Sequence, residues 1–163
     1  ALTTDNTLRL PSYSKDIHHE VELVVYIDQD VADDQIPDLS CIAGYGIGLD
    51  LTARDIQNAL KTKGMPWTTA KGFRHAAWLS VLTKGIPTTH QLSLMVNGDI
   101  RQDDSTDKLL FDITYQLNFF HEKFGLRQGD IIYTGTPKGV GRLVSGDTLV
   151  AKLDTESYTI HIV

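Results

Sequence analysis

Glu20 and Glu22 stand two apart in the run His18-His19-Glu20-Val21-Glu22-Leu23-Val24-Val25-Tyr26-Ile27. The run reads as a β-strand because β-branched and aromatic residues dominate it. Side chains alternate faces along a strand, so both carboxylates project one way while Val21, Leu23, Val25 and Ile27 project toward a core. Two carboxylates a few ångströms apart repel each other, so one takes up a proton or a cation sits between them. A solvated polar face is the plainer reading of this strand alone. A third carboxylate, Asp50, strengthens the cation reading.

Several elements must bring these groups together. Ile42 to Leu49 carries glycines at 44, 46 and 48 among apolar residues. Glycine at alternate strand positions leaves room for something packed against one face. Asp50 ends this run and precedes a predicted helix, 52–63. Thr52 and Asp55 suggest a capping-box-like start, Ile56 and Leu60 an apolar stripe, and Gly64 with Pro66 a stop. Arg54 and Gln57, three apart, share a face of that helix. Residues 66–73 read as a loop holding Lys71 between small residues. Such a lysine is ordinarily solvated; beside Trp67 and Phe73 a partly buried ammonium is the alternative. The acidic stretch Asp28 to Asp34 fails the calcium-loop template and reads as an exposed turn.

Asn97-Gly98 predicts a hairpin over 91–102. Ile113, Leu117 and Phe120 predict an amphipathic helix over 111–120. A short buried strand, 131–133, leads into Thr134-Gly135-Thr136-Pro137-Lys138-Gly139-Val140-Gly141. This loop matches neither common nucleotide-binding glycine pattern. Its amides, the Thr134 and Thr136 hydroxyls and Lys138 could cradle a carboxylate or oxyanion; a plain turn is the alternative. A closing hairpin spans 148–163. The pattern is short strands with two helices, hence α+β with much β.

The bulk properties agree with one globular unit. A chain of 163 residues can bury about 70% of its unfolded surface. A net charge of -6 argues against a general nucleic-acid surface. No apolar run reaches the about 20 residues of a membrane span. The single cysteine, Cys41, lies in an apolar run and reads as a buried structural thiol, which fits a cytoplasmic setting.

Five stretches, taken in order, closely resemble the fumarylacetoacetate hydrolase family, in particular its small acylpyruvase-like members. They are HHEVEL (18–23), GYGIGLDLTARDIQ (44–57), KGMPWTTAKGF (63–73), VNGDIRQ (96–102) and GDIIYTGTPKGVG (129–141). Each is weak alone. The ordered combination E-x-E, D-x-x-x-R-D-x-Q, A-K-G-F and T-G-T-P is specific, and the likeness covers nearly the whole chain. It implies one catalytic domain over residues 1–163 with an α+β, mostly β fold: a mixed β-sheet roll with short helices, like that family's C-terminal domain.

The resemblance further implies a metal, Mg²⁺ or else Mn²⁺ or Ca²⁺, held by Glu20, Glu22 and Asp50. Three hard oxygen donors suit such a cation. Arg54 and Lys71 would be catalytic cations, and Gln57, Thr136 and Gly135 would bind substrate. His18 would orient or pack rather than ligate. Family chemistry acts on small β-dicarbonyl and 2-keto acids: acylpyruvate C–C hydrolysis, oxaloacetate-type decarboxylation, and enol–keto isomerisation. All pass through an enolate that the metal and Lys71 would stabilise, so the sequence does not separate them.

Family hydrolases also carry an N-terminal segment whose His and Glu activate water. No His-x-x-Glu precedes the first metal-binding stretch, and the chain opens on Ala1 rather than Met. An N-terminally incomplete domain is therefore expected, and no general base is nominated. The alternative is a non-catalytic module that binds a divalent cation and a dicarboxylate. Expected partners are a small keto acid and, by resemblance, a second copy in a homodimer.

Overall fold

The computed structural model describes residues 2–163. Two β-sheets face each other across a shared apolar core. One orders its strands Leu2–Thr3, Ala77–Leu79, Ile42–Asp50, Val21–Ile27 and Ile131–Tyr133, with Thr83–Lys84 also pairing on Ile42–Asp50. The other runs Asp99–Ser105, Gln91–Val96, Thr148–Leu153, Glu156–Ile162 and Thr7–Leu8. A small third sheet joins Gly141–Arg142, Ile17–His19 and Thr52–Ala53. Leu23, Ile47 and Leu49 of the first sheet pack with Leu94, Leu149 and Ile160 of the second. The α+β, mostly β expectation holds.

Val21, Leu23, Val25 and Ile27 are fully buried, as their alternation predicts. Val24, on the opposite face, is fully buried too. The glycine-bearing strand explains it. Glu22 pairs with Gly48, Val24 with Gly46 and Tyr26 with Gly44, and Tyr133 on the edge strand pairs with Val24. The Tyr133 ring lies over Gly48, and its hydroxyl donates to the Trp78 carbonyl at 2.8 Å. One aromatic side chain thus reaches from the edge strand across the glycine trough.

Three helices differ from expectation in instructive ways. α1 is Arg54–Thr62 and begins later than predicted. Thr52 does not cap it, because its backbone pairs with His18 in the small sheet. The Asp16 carbonyl instead accepts the Arg54 N–H at 2.8 Å, and Asp55 accepts from the Ser14 hydroxyl and the Lys15 amide. The loop predicted around Lys71 contains a single helical turn, α2 (Thr68–Lys71). α3 runs Ile113–Phe124, because Asp112 caps it by accepting the Tyr115 N–H. Leu117 buries α3 against Val25 and Ile132. The 91–102 hairpin forms, with positive φ at Asn97 and Gly98, and its second strand continues to Ser105. Cys41 is buried. No helix among the described residues is long and apolar enough to cross a membrane.

The trough yields a stability prediction. A Cβ on Gly48 would lie 2.5 Å from Tyr133 Cε1 and 2.6 Å from Val24 Cγ2. Tyr133 is anchored at its far end, so neither neighbour yields freely. Gly48→Ala should destabilise the protein by about 1–3 kcal/mol through overpacking. Urea unfolding measures it, and an unchanged midpoint would contradict the packing described.

Candidate metal centre

The sheet register assembles the carboxylates. Glu22 lies opposite Gly48, so the same face carries Glu20, Glu22, Gly48 and Asp50. The Asp50 amide donates to the Glu20 carbonyl at 2.9 Å, holding the two residues side by side. The first strand predicted from sequence is in fact broken at Glu20. Ile17–His19 belongs to the small sheet and Val21–Ile27 to the large one. Glu20 sits at the joint, where the chain can turn its side chain toward Asp50. One carboxylate oxygen from each of Glu20, Glu22 and Asp50 lies within 4.8 Å of the others.

Two cations meet this cluster. Lys71, at the end of α2, donates through Nζ to Glu20 Oε2 at 2.8 Å and to Asp50 Oδ2 at 2.6 Å. Arg54, the first residue of α1, donates through one guanidinium nitrogen to Glu20 Oε1 and through the other to Gln57 Oε1 at 2.7 Å. Gln57 therefore holds the Arg54 plane. Arg54, Lys71 and Asp50 keep 22%, 29% and 26% of their side chains exposed, so the cluster is reached from solvent on their side.

The charge balance is informative. Three carboxylates face two cations. Burial pushes Glu22 up to about 8, and Asp50 and Glu20 add to this, opposed by the Gly135 amide. Burial also raises Asp50, with Lys71 partly offsetting it. Burial would raise Glu20 as well, but Lys71 and Arg54 outweigh it and hold the carboxyl below its ordinary value. Burial would lower Lys71, yet Asp50 and Glu20 hold its ammonium above the usual range. The cluster is short of positive charge at Glu22 and Asp50. Three converging hard oxygens with a charge deficit fit a divalent cation of the Mg²⁺ or Mn²⁺ type.

The glycine-rich loop closes one side of the cluster. The Gly135 N–H donates to Glu22 Oε2 at 2.7 Å, with Gly135 at φ 113°. The Thr134 hydroxyl donates to the Leu23 carbonyl at 2.9 Å and the Thr136 hydroxyl to the Val21 carbonyl at 2.8 Å. Residues 134–136 are thereby fastened along both sides of Glu22. Gly135, expected to touch substrate, uses its amide on a carboxylate of the cluster. Gly135 and Thr136 also form part of the wall of a cavity of about 620 Å³, whose lining includes Leu92, Leu109, Phe111 and Phe120.

His18 pairs with Asp16 at 2.9 Å. His19 is buried against Gln102, and burial lowers its pKa. Two residues at the site escaped the reading of the sequence: Tyr133, which roofs Gly48, and Gln102. The alternating glycines announced a packed partner without naming it, and Gln102 stood in a motif without a role.

The family model for the C-terminal domain of fumarylacetoacetate hydrolase matches residues 1–160. The mitochondrial oxaloacetate tautomerase of Rattus norvegicus is 39% identical over 152 residues, 89% of this chain and 68% of that protein. An oxaloacetate tautomerase of Escherichia coli is 39% identical over 163 residues, 95% of this chain and 74% of that protein. The solved structure of fumarylpyruvate hydrolase from Pseudomonas aeruginosa, in complex with Mn²⁺ and pyruvate, superposes with a TM-score of 0.91 at 31% identity. It covers 96% of this chain and 70% of that one. These relatives are enzymes, and a family model spanning almost every residue leaves one assignment: the chain belongs to the fumarylacetoacetate hydrolase family.

Proposed function

We propose that this chain catalyses metal-dependent enolisation of small 2-keto acids, with keto–enol tautomerisation of oxaloacetate as its reaction. The observation that carries this reading is Lys71 Nζ lodged between Glu20 and Asp50, with Arg54 on the other oxygen of Glu20. The relatives named oxaloacetate tautomerase support the substrate class.

Glu20, Glu22 and Asp50 would hold Mg²⁺ or Mn²⁺. Bound there, the cation supplies Lewis-acid polarisation of adjacent keto and carboxylate oxygens. Adding two positive charges to three carboxylates, Lys71 and Arg54 leaves a net charge of about +1, suited to an anionic substrate. Lys71 stays an ammonium at neutral pH because Asp50 and Glu20 raise its pKa. Its Nζ would stabilise charge developing on the keto oxygen as the neighbouring carbon passes its proton to solvent water, and solvent then protonates the enolate oxygen. Arg54, oriented by Gln57, would bind the substrate carboxylate through a bidentate contact. The loop 134–136 keeps Glu22 in place.

Three outcomes test this reading. Oxaloacetate tautomerisation should require Mg²⁺ or Mn²⁺ and vanish with EDTA; metal-independent turnover would overturn it. Mn²⁺ binding without turnover would instead favour a non-catalytic cation and dicarboxylate module. Lys71→Met should lower turnover by about 10²–10³-fold, the usual cost of removing one preorganised electrostatic contact. Unchanged kcat would remove Lys71 from the chemistry.

Metal affinity should depend on pH with a definite sign. Glu22 in the metal-free protein holds its proton up to about pH 8, and that proton must leave when the carboxylate ligates. Apparent Mn²⁺ affinity should therefore rise nearly tenfold per pH unit below about 8 and level off above it. Calorimetry at pH 7 in buffers of different ionisation enthalpy should show close to one proton released. No proton release would contradict the role given to Glu22.

A further inference from the structure

We propose that Gln102 is the positioning residue of this site. Its side chain donates to the Thr136 hydroxyl, whose own proton goes to the Val21 carbonyl, so that Thr136 has only an acceptor left for a ligand, and it fastens the glycine-rich loop to the strand bearing Glu22. The consequence for turnover rests on the keto-acid reading above; the hydrogen-bond assignment does not.

Gln102 is 1% exposed although Arg101 and Asp103 beside it lie open. A bulge between Ile100 and Gln102 shifts the register, so that Ile100 pairs with Met95 but Gln102 with Leu94. Bulges re-aim side chains, and this one turns Gln102 inward. The loop rests on the same irregularity. Gly139, at φ 102°, would carry a Cβ only 2.0 Å from the Arg101 carbonyl oxygen. Only glycine permits so close an approach.

The partners of Gln102 determine its orientation. The Val21 N–H can only donate, and it lies 3.1 Å from Oε1. The Pro137 carbonyl can only accept, and it lies 2.8 Å from Nε2. Oxygen and nitrogen are therefore assigned by backbone groups with no freedom of their own. The second Nε2 proton points to Thr136 Oγ1 at 2.8 Å. The second lone pair of Oε1 faces His19 Nδ1 at 2.9 Å. His19 must then carry a proton on Nδ1.

Thr136 follows by elimination. Its oxygen accepts from Gln102, and its proton goes to the Val21 carbonyl at 2.8 Å. One lone pair remains and no proton. Thr136 thus offers nothing to a carboxylate and one acceptor to a protonated group, such as an enol hydroxyl or a water. This refines the role expected for Thr136 from sequence, where its hydroxyl was to hold a carboxylate or oxyanion. All four hydrogen-bonding positions of Gln102 are used, and they join His19, Val21, Thr136 and Pro137 into one buried network.

The test has a spectroscopic arm and a kinetic arm. Two-bond ¹H–¹⁵N spectra of the metal-free protein should show His19 with its proton on Nδ1; a predominantly Nε2-protonated ring would overturn the assignment. Gln102→Glu keeps the acceptor and shape but removes both donors. This variant and Thr136→Val should each lower kcat with saturating Mn²⁺ by about 10–100-fold, as expected of partners that orient a site. The double variant should be little worse than either single one, because both break the same link. Thr136→Ser, which keeps the hydroxyl, should recover most of the loss. Additive effects, or full kcat in folded Gln102→Glu, would overturn the proposal. If the unaltered chain turns over no keto acid, the function above fails by itself. The same cycle is then read on Mn²⁺ affinity, because the loop that Gln102 fastens holds Glu22 through the Gly135 amide, with non-additivity again expected and additivity again contrary.

Discussion

Mutual repulsion among three carboxylates, two buried and Asp50 partly so, is the constraint on which this structure turns. Glu20, Glu22 and Asp50 offer oxygens within 4.8 Å of one another, in surroundings where an uncompensated charge is costly. Compensation comes from two short helices whose ends supply Lys71 and Arg54, from one loop amide, and from a proton retained on Glu22. A divalent cation would replace that proton. Each element around the cluster can be understood as keeping these opposing charges at fixed separations.

The sheet does this through what it omits as much as through what it carries. Glycines at 44, 46 and 48 remove side chains from the face that bears the carboxylates. The space at Gly48 is taken by Tyr133 and Val24, and that at Gly46 by Ser80 and Leu82. The Tyr133 ring is apolar over most of its area, and burial together with Asp50 and Glu22 keeps its hydroxyl strongly protonated. It therefore screens the sheet from water without adding charge. The loop that follows Tyr133 then supplies the amide for Glu22. A rigid strand pair, one aromatic roof and one stitched loop account for the preorganisation of the cluster.

Much of this was legible in the residues, and the exceptions have physical reasons. Strand alternation predicted Glu20 beside Glu22, and the two carboxylates do meet although Glu20 sits at a joint between strands; the hairpin turn at Asn97-Gly98 was explicit. Local signals misled where tertiary pairing competed with them. Thr52 looks like a helix cap, but its backbone is claimed by His18 across the small sheet, so the helix begins two residues later under the Asp16 carbonyl. The stretch around Lys71 lacks any periodic pattern, being only one turn long. Gln102 was invisible as a hub because its inward orientation depends on a bulge, and its partners lie about 80 residues earlier and about 35 later. Ladder pairing between distant segments is set by the whole fold, and no local window encodes it.

The central claim is that Glu20, Glu22 and Asp50 converge on one divalent ion, and anomalous diffraction from crystals grown with Mn²⁺ tests it most directly. The account predicts a single strong peak bonded to one oxygen of each of the three carboxylates, with Lys71 displaced from at least one of its two acid partners. A peak elsewhere, or three carboxylates still bridged by Lys71 with no ion among them at saturating Mn²⁺, would contradict it.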